Sequence, residues 1–199
     1  MIDISRIAND IPHNIFKKYY EKATKKNQKF IEAISISSFN MVTNEVESRM
    51  VNLKYIIGNE WIFFSNFESL KAKNFSSHPQ ISALFFWDSI NVQVRMKGKI
   101  FKTSAQFSDN HYKTRSIKKN ALATSSMQSQ EIDSYNLVID RYEDALRDIS
   151  KIQMRPTYWG GYSFIPYYFE LWEGHESRLN KRDVYKMESN EWVHSILQP

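Results

Sequence analysis

The chain has 199 residues, 42% hydrophobic and 15% aromatic, with a net charge of +5 and no cysteine. That length suits one large domain or two small ones, and the apolar content supports a packed core rather than disorder. The missing cysteine excludes disulfides, thiolate catalysis and cysteine–zinc sites; no signal segment follows Met1 and no apolar run approaches the roughly 20 residues of a membrane span, so a cytoplasmic protein without a membrane partner is expected.

Ile15, Phe16, Tyr19, Tyr20 and Ala23 recur with helical spacing. They make Lys17, Lys18, Lys22, Lys25, Lys26 and Lys29 the wet face of an amphipathic helix, which explains the basic cluster more simply than a nucleic-acid partner does. Phe30 to Ser37 and Ser48 to Ile57 read as strands, and Gly58-Asn59 turns the chain into the apolar run Trp61-Ile62-Phe63-Phe64. The polar segment Ser65 to Ser77 carries a short helix, and His78-Pro79 leads into a strand over Ile81 to Trp87. From Asn91 to Phe101 the pattern alternates, with Val92, Val94 and Met96 on one face and Gln93, Arg95 and Lys97 on the other.

A helix is predicted from Ser104 to about Arg115, while Asn120 to Gln130 has no decisive periodicity. Ile132, Tyr135, Ile139, Tyr142, Leu146 and Ile149 step by three or four residues, which predicts a helix that places this stripe in the core. Tyr162 to Trp172 is extended and aromatic, with Pro166 implying an edge or a bulge, and Tyr185 to Ile196 forms a hairpin around Ser189-Asn190. Six or more antiparallel strands with helices between them predict an α+β domain, and short strands rich in aromatic residues favour a barrel.

The chain lacks a glycine-rich dinucleotide or phosphate loop, a His-Glu-x-x-His pair and a Gly-x-Ser-x-Gly elbow, and its five histidines have no metal-ligand spacing. No metal site is expected. Basic and amide residues beside strands remain: Arg49 and Lys54, Lys71, Gln93, Gln128-Ser129, and Arg178 with Arg182 near Trp172. Arginine and lysine bind phosphate by charge and hydrogen bonding, whereas amides and an indole suit the edge and face of a planar heterocycle. Taken singly, each is better explained as an exposed strand-end cation, a solvated glutamine or a core or interface tryptophan.

Their order along the chain points further. The blocks Arg49-Met50-Val51-Asn52-Leu53-Lys54, Phe64-Ser65-Asn66 through Ser69-Leu70-Lys71-Ala72, Phe85-Phe86-Trp87, Val92-Gln93-Val94 with Gly98-Lys99, Gln128-Ser129, Tyr158-Trp159-Gly160-Gly161 and Trp172 to Arg182 resemble, in order and spacing, the pyridoxamine 5′-phosphate oxidase family. The resemblance spans roughly Pro12 to Pro199. It implies one α+β domain over residues 1–199: an antiparallel split β-barrel with peripheral helices, FMN-binding and homodimeric. Residues 1–29 would form an N-terminal helical arm, and 30–199 a barrel with inserted helices and a C-terminal dimerisation and site segment.

The resemblance further implies that Arg49, Met50, Lys54, Phe64, Ser65, Lys71, Gln93, Gln128, Ser129, Trp172 and Arg182 contact FMN in clefts between subunits. Substrate positions map to Lys54, Tyr112, Arg115, Lys119, Asn180 and Arg178, the last lying over the reacting ring as the catalytic residue. The implied reaction passes a hydride from the 4′ carbon of pyridoxamine or pyridoxine phosphate to flavin N5, with O2 reoxidising the flavin to give H2O2. The sequence departs from the family at Leu70, where an arginine is usual, at Asn180, where a histidine is usual, and around Tyr112 to Asn120, which is one residue shorter and puts Lys118 or Lys119 near an expected serine. Those departures keep two alternatives open: a flavin oxidase of dihydroaromatic acids from phenazine-type biosynthesis, and a non-catalytic flavin or pyridoxal phosphate carrier.

Overall fold

In the computed structural model, which describes Met1–Pro199, nine strands and six α-helices follow one another along the chain. The first strand, β1 (Asp3–Ile7), precedes α1 (Ile11–Lys25); β2 (Ala33–Asn40), β3 (Glu45–Gly58) and β4 (Glu60–Asn66) lead to α2 (Leu70–Ser77). Next come β5 (Gln80–Trp87), β6 (Val92–Lys102), α3 (Ala105–Thr114), α4 (Ile117–Ser125), α5 (Tyr135–Arg147) and α6 (Ile149–Ile152). A long β7 (Trp159–Glu173) and the hairpin β8 (Lys181–Glu188) and β9 (Glu191–Ile196) complete the chain.

Six strands close a ring in the order β3-β2-β5-β6-β7-β4 and back to β3, every pairing antiparallel. Closure works because two strands are long enough to change partners. β3 pairs with β2 through Glu45 to Asn52 and with β4 from Leu53 onward, and β7 pairs with β4 through Phe164 before β8 takes up Tyr168 to Glu173. Alternation along β5 and β6 sends Phe85, Trp87, Val92, Val94 and Met96 inward, where they meet Ile34, Ile36, Leu53, Trp61 and Phe164. Burying these side chains, at about 25 cal/mol per Å² of apolar surface, is the main force holding the barrel.

The N-terminal helix seals this core. Asp10 caps it by accepting from the His13 N–H, and Phe16 lies 4.5 Å from the Trp61 ring and 5.7 Å from that of Phe85. The lysines flanking that buried stripe are exposed, as the amphipathic reading requires. Pro166 does sit at a bulge: the β6–β7 register slips between Lys97 and Gly98, leaving Tyr167 unpaired. Gly98 is needed there, since a Cβ would come 2.8 Å from the Ile165 carbonyl oxygen. Ser189 and Asn190, both with positive φ, turn the last hairpin.

Three expectations need correction. The N-terminal segment is not only a helical arm, because β1 runs parallel to β3 outside the ring. Phe30 is not in β2; its φ is 51° and it is 81% exposed, in the turn before the strand. The stripe on α5 is not core, since no residue of that helix is buried. α5 packs on α4 and α6 rather than on the sheet, so Leu137 and Ile139 remain 37% and 39% exposed.

Candidate functional site

Where β3, β4 and α2 meet the α3–α4 junction, a cavity of about 280 Å³ opens on the barrel's flank. Met50, Asn52 and Lys54 reach it by alternation along β3, Phe64 and Ser65 come from β4, Lys71 from α2, and His111, Arg115 and Lys119 from α3, its C-cap and α4. Gln128 and Trp159 complete the wall and, with Arg115 and Lys119, also line an adjoining cavity of about 170 Å³.

Lys71 dominates one end. It is 8% exposed, and its ammonium donates to the hydroxyls of Ser65 and Ser69, both at 3.2 Å, with no carboxylate in reach. Burial, and then the neighbouring Arg49, push its pKa down to about 8. Ser65 in turn donates to Gln128 Oε1 at 3.3 Å, which ties that loop to the lysine. Arg49 is better compensated: it donates to Ser38 at 2.8 Å and to Glu47 at 2.9 Å, while Asn74 holds the same two partners. The polar atoms at this end therefore keep one buried positive charge without a counter-ion.

At the other end Lys54, Arg115 and Lys119 surround His111. The Arg115 guanidinium lies 4.2 Å from the Trp159 ring centroid, and Nη2 donates to the Lys119 carbonyl at 2.9 Å. Its Nη1 is buried without any acceptor. His111 stacks on Phe64 with ring centroids 3.7 Å apart, and burial together with the three cations drives its pKa down to about 4. Lys54 is likewise lowered, chiefly by burial.

Not every expected residue comes to this cavity. Tyr112 does not: it is 1% exposed and its hydroxyl donates to the Ile152 carbonyl at 3.1 Å, because Ser108 and Tyr112 form the buried face of α3. The cavity takes His111 instead. Residues four apart share a helical face, so the His111–Arg115 spacing was the signal that could have found it. Ser129 has φ 71° and lies on a neighbouring groove with Gln128. Trp159 was not anticipated as a site residue either.

Gln93, Trp172 and Arg182 form a separate group. Their registers put them in one row across β6, β7 and β8, and none lines the cavity. Glu170, 2% exposed, accepts from Arg182 Nε at 2.8 Å and pairs with Arg95 at 3.0 Å. Arg178 is exposed at φ 60° in the turn its N–H closes on the His175 carbonyl, and Asn180 Oδ1 accepts from the His175 N–H at 3.0 Å, bracing the same loop. No group of three His, Asp or Glu side chains is gathered to hold a metal, and no helix is long and apolar enough to cross a membrane.

The sequence model described as pyridoxamine 5′-phosphate oxidase matches residues 23–146, and that of the pyridoxine 5′-phosphate oxidase C-terminal dimerisation region matches residues 159–199. The chain belongs to the pyridoxamine 5′-phosphate oxidase family. A pyridoxine/pyridoxamine 5′-phosphate oxidase from Legionella pneumophila (strain Lens) is 36% identical over 77% of this chain and 72% of its own length. A second from Hydrogenovibrio crunogenus is 31% identical over 96% and 90%. Among solved structures, PhzG from Burkholderia lata 383, crystallised with tetrahydrophenazine-1-carboxylic acid, superposes with a TM-score of 0.89 at 22% identity, over 94% of this chain and 92% of that one. A pyridoxamine 5′-phosphate oxidase-related, FMN-binding protein from Nostoc punctiforme gives 0.79 at 11%, over 96% and 99%. The closed ring is thus the family's α+β split barrel, and the matched dimerisation region carries Trp172, which pairs with Gln93, and Arg182, which pairs with Trp172.

Proposed function

We propose that this chain is an FMN-dependent oxidase of pyridoxamine or pyridoxine 5′-phosphate, working as a homodimer. The observation that carries the reading is the buried, carboxylate-free ammonium of Lys71 in a cavity whose far end holds three further cations and the orphaned Arg115 Nη1. Such a site is complementary to two anionic groups, one at each end, which fits a flavin phosphate and a substrate phosphate. When bound, FMN would accept a hydride from the substrate's 4′ carbon and pass the electrons to O2, giving H2O2.

The chain's own residues would bind and orient. Lys71, Ser65, Arg49, Gln128 and Ser129 suit the flavin phosphate and ribityl side, and Met50 and Phe64 offer apolar surface nearer the ring. Lys54, Arg115 and Lys119 would hold the substrate anion. Gln93, Trp172 and Arg182 do not reach the cavity of their own chain, and neither Arg178 nor Asn180 lines it. We assign these to the complementary half of the site on a second copy, with Arg178 laid over the substrate ring. On this reading each cavity needs two chains, and the protein acts with O2 and a second subunit as its partners.

The test is a flavin spectrum and an oxygen-consumption assay on one sample. The expected result is a yellow protein that consumes O2 with pyridoxamine 5′-phosphate and far less with unphosphorylated pyridoxamine. A flavin-loaded protein inert to the phosphorylated amine and alcohol would overturn the substrate; a protein with no affinity for FMN would overturn the cofactor.

A further inference from the structure

His111 is fixed in the cavity wall from two sides. Its ring stacks on Phe64 at 3.7 Å with 12° between planes, and its Nδ1 lies 2.8 Å from the Tyr55 hydroxyl, while Nε2 has no partner in the protein. The charged groups facing it are Lys54 from β3, Arg115 at the end of α3 and Lys119 from α4; no carboxylate acts on it. An added positive charge is opposed from every side, so the ring is neutral at physiological pH and one nitrogen only carries a proton. The Tyr55 phenol is raised, chiefly by burial, and stays protonated.

If Tyr55 donates to Nδ1, the proton of the neutral ring sits on Nε2, the nitrogen without a partner. This end of the cavity then presents two ammonium groups, the Arg115 guanidinium and an imidazole N–H. A carboxylate has one negative charge and two oxygens to offer. A phosphate monoester has close to two charges and three terminal oxygens, which matches this donor set better.

We propose that His111 is a specificity-determining residue, donating from Nε2 to a phosphate oxygen of a phosphorylated aromatic substrate, and that Tyr55 is the positioning residue that sets its tautomer. The inference rests on the cavity being the substrate site of the oxidase reading. It makes the cavity selective for phosphate monoesters over aromatic carboxylates.

The test uses flavin-loaded full-length protein titrated with pyridoxal 5′-phosphate and with pyridoxal, alongside steady-state kinetics on pyridoxamine 5′-phosphate. His111→Phe keeps the stack and removes the donor; Tyr55→Phe keeps the imidazole and frees its tautomer. Loss of one hydrogen bond to a charged group predicts that His111→Phe binds pyridoxal 5′-phosphate about tenfold more weakly, with KM rising more than kcat falls. Pyridoxal affinity should hold within about twofold, and Tyr55→Phe should fall between wild type and His111→Phe.

An unchanged affinity for pyridoxal 5′-phosphate in His111→Phe, an equal loss for pyridoxal, or a wild type that does not bind pyridoxal 5′-phosphate would overturn the inference. A wild type that shows the binding pattern without oxidising the amine would support His111 while overturning the oxidase reading.

Discussion

Replacing Lys71 with methionine should move stability and binding in opposite directions. The drop from 10.5 to about 8 means that burial beside Arg49 disfavours the charged ammonium by about 3 kcal/mol relative to an exposed lysine. Its contacts with Ser65 and Ser69, at 3.2 Å each, offset only part of this. Lys71→Met removes the charge and keeps the length, so the flavin-free variant should be about 1–2 kcal/mol more stable at pH 7. The sign also shows in the wild type: with the folded pKa below the unfolded one, the unfolded chain holds the proton between about pH 8 and 10.5, so this group adds stability as pH rises through that window. FMN binding should move the other way. Losing a charge-assisted bond to phosphate costs about 1.5–3 kcal/mol, a 10- to 150-fold weaker dissociation constant. Urea unfolding of the flavin-free protein and fluorescence titration with FMN read the two effects, with riboflavin, which lacks the phosphate, as the control. A variant that is less stable and binds FMN as tightly as wild type would refute the argument and make Lys71 structural.

Glu170→Gln leaves Arg182 and Arg95 without their shared buried counter-ion, so unfolding free energy should fall by about 3 kcal/mol and FMN affinity with it; unchanged values of both in calorimetry and flavin titration would contradict the positioning of Arg182. His13 is fully buried, accepts from the Trp61 indole at 3.2 Å and has a pKa lowered by burial. Its neutral form is favoured in the fold, so the stability it contributes is complete above about pH 6.5 and is lost as the pH falls toward its folded value. Urea midpoints measured between pH 7.5 and 5 should therefore decline in wild type and decline less in His13→Gln; identical slopes would exclude His13 as the cause. Gly98→Ala brings a Cβ to 2.8 Å from the Ile165 carbonyl oxygen, which should lower stability by about 1–3 kcal/mol while flavin binding changes little. A thermal midpoint equal to wild type would show that the bulge relaxes freely.

The ring strands were legible because each is half-buried, and alternation such as Val92-Gln93-Val94 survives in the sequence as a period of two. β1 was not, since five residues with no buried side chain carry no such pattern. The α5 stripe misled for the converse reason: helical periodicity identifies a helix, yet which surface that helix meets is decided by the rest of the chain. The site divides similarly. Lys54, Lys71, Arg115 and Gln128 were identifiable by type and order, and they do gather at one cavity. His111 was missed by one position, because a single residue of difference in segment length rotates a helix by about 100° and exchanges a wall residue for a core one. That Glu170 already holds Arg182 lay outside any reading of order, since only the β7–β8 register brings the two side chains together.

Charge compensation separates the two ends further. At the proposed flavin end Glu47 pairs with Arg49, and in the outer row Glu170 is shared by Arg182 and Arg95, whereas Lys71 has no carboxylate partner. Leu70, the neighbouring residue, supplies no charge. At the proposed substrate end Lys54, Arg115 and Lys119 form no salt bridge, and Glu32, acting on Lys54 at a distance, offsets only part of their charge. The field is therefore stronger where the substrate anion would sit. Screening weakens an attraction in proportion to the charge it involves, and open surface cations such as Lys119 are screened more than the buried Lys71. Raising salt from 0.05 to 0.5 M, roughly a threefold cut in Debye length, should then raise KM for pyridoxamine 5′-phosphate more than the dissociation constant of FMN. Lys119→Ser should flatten the salt dependence of KM and leave that of FMN unaltered. Equal salt slopes for the two ligands would mean that the uncompensated charge is not where the substrate binds.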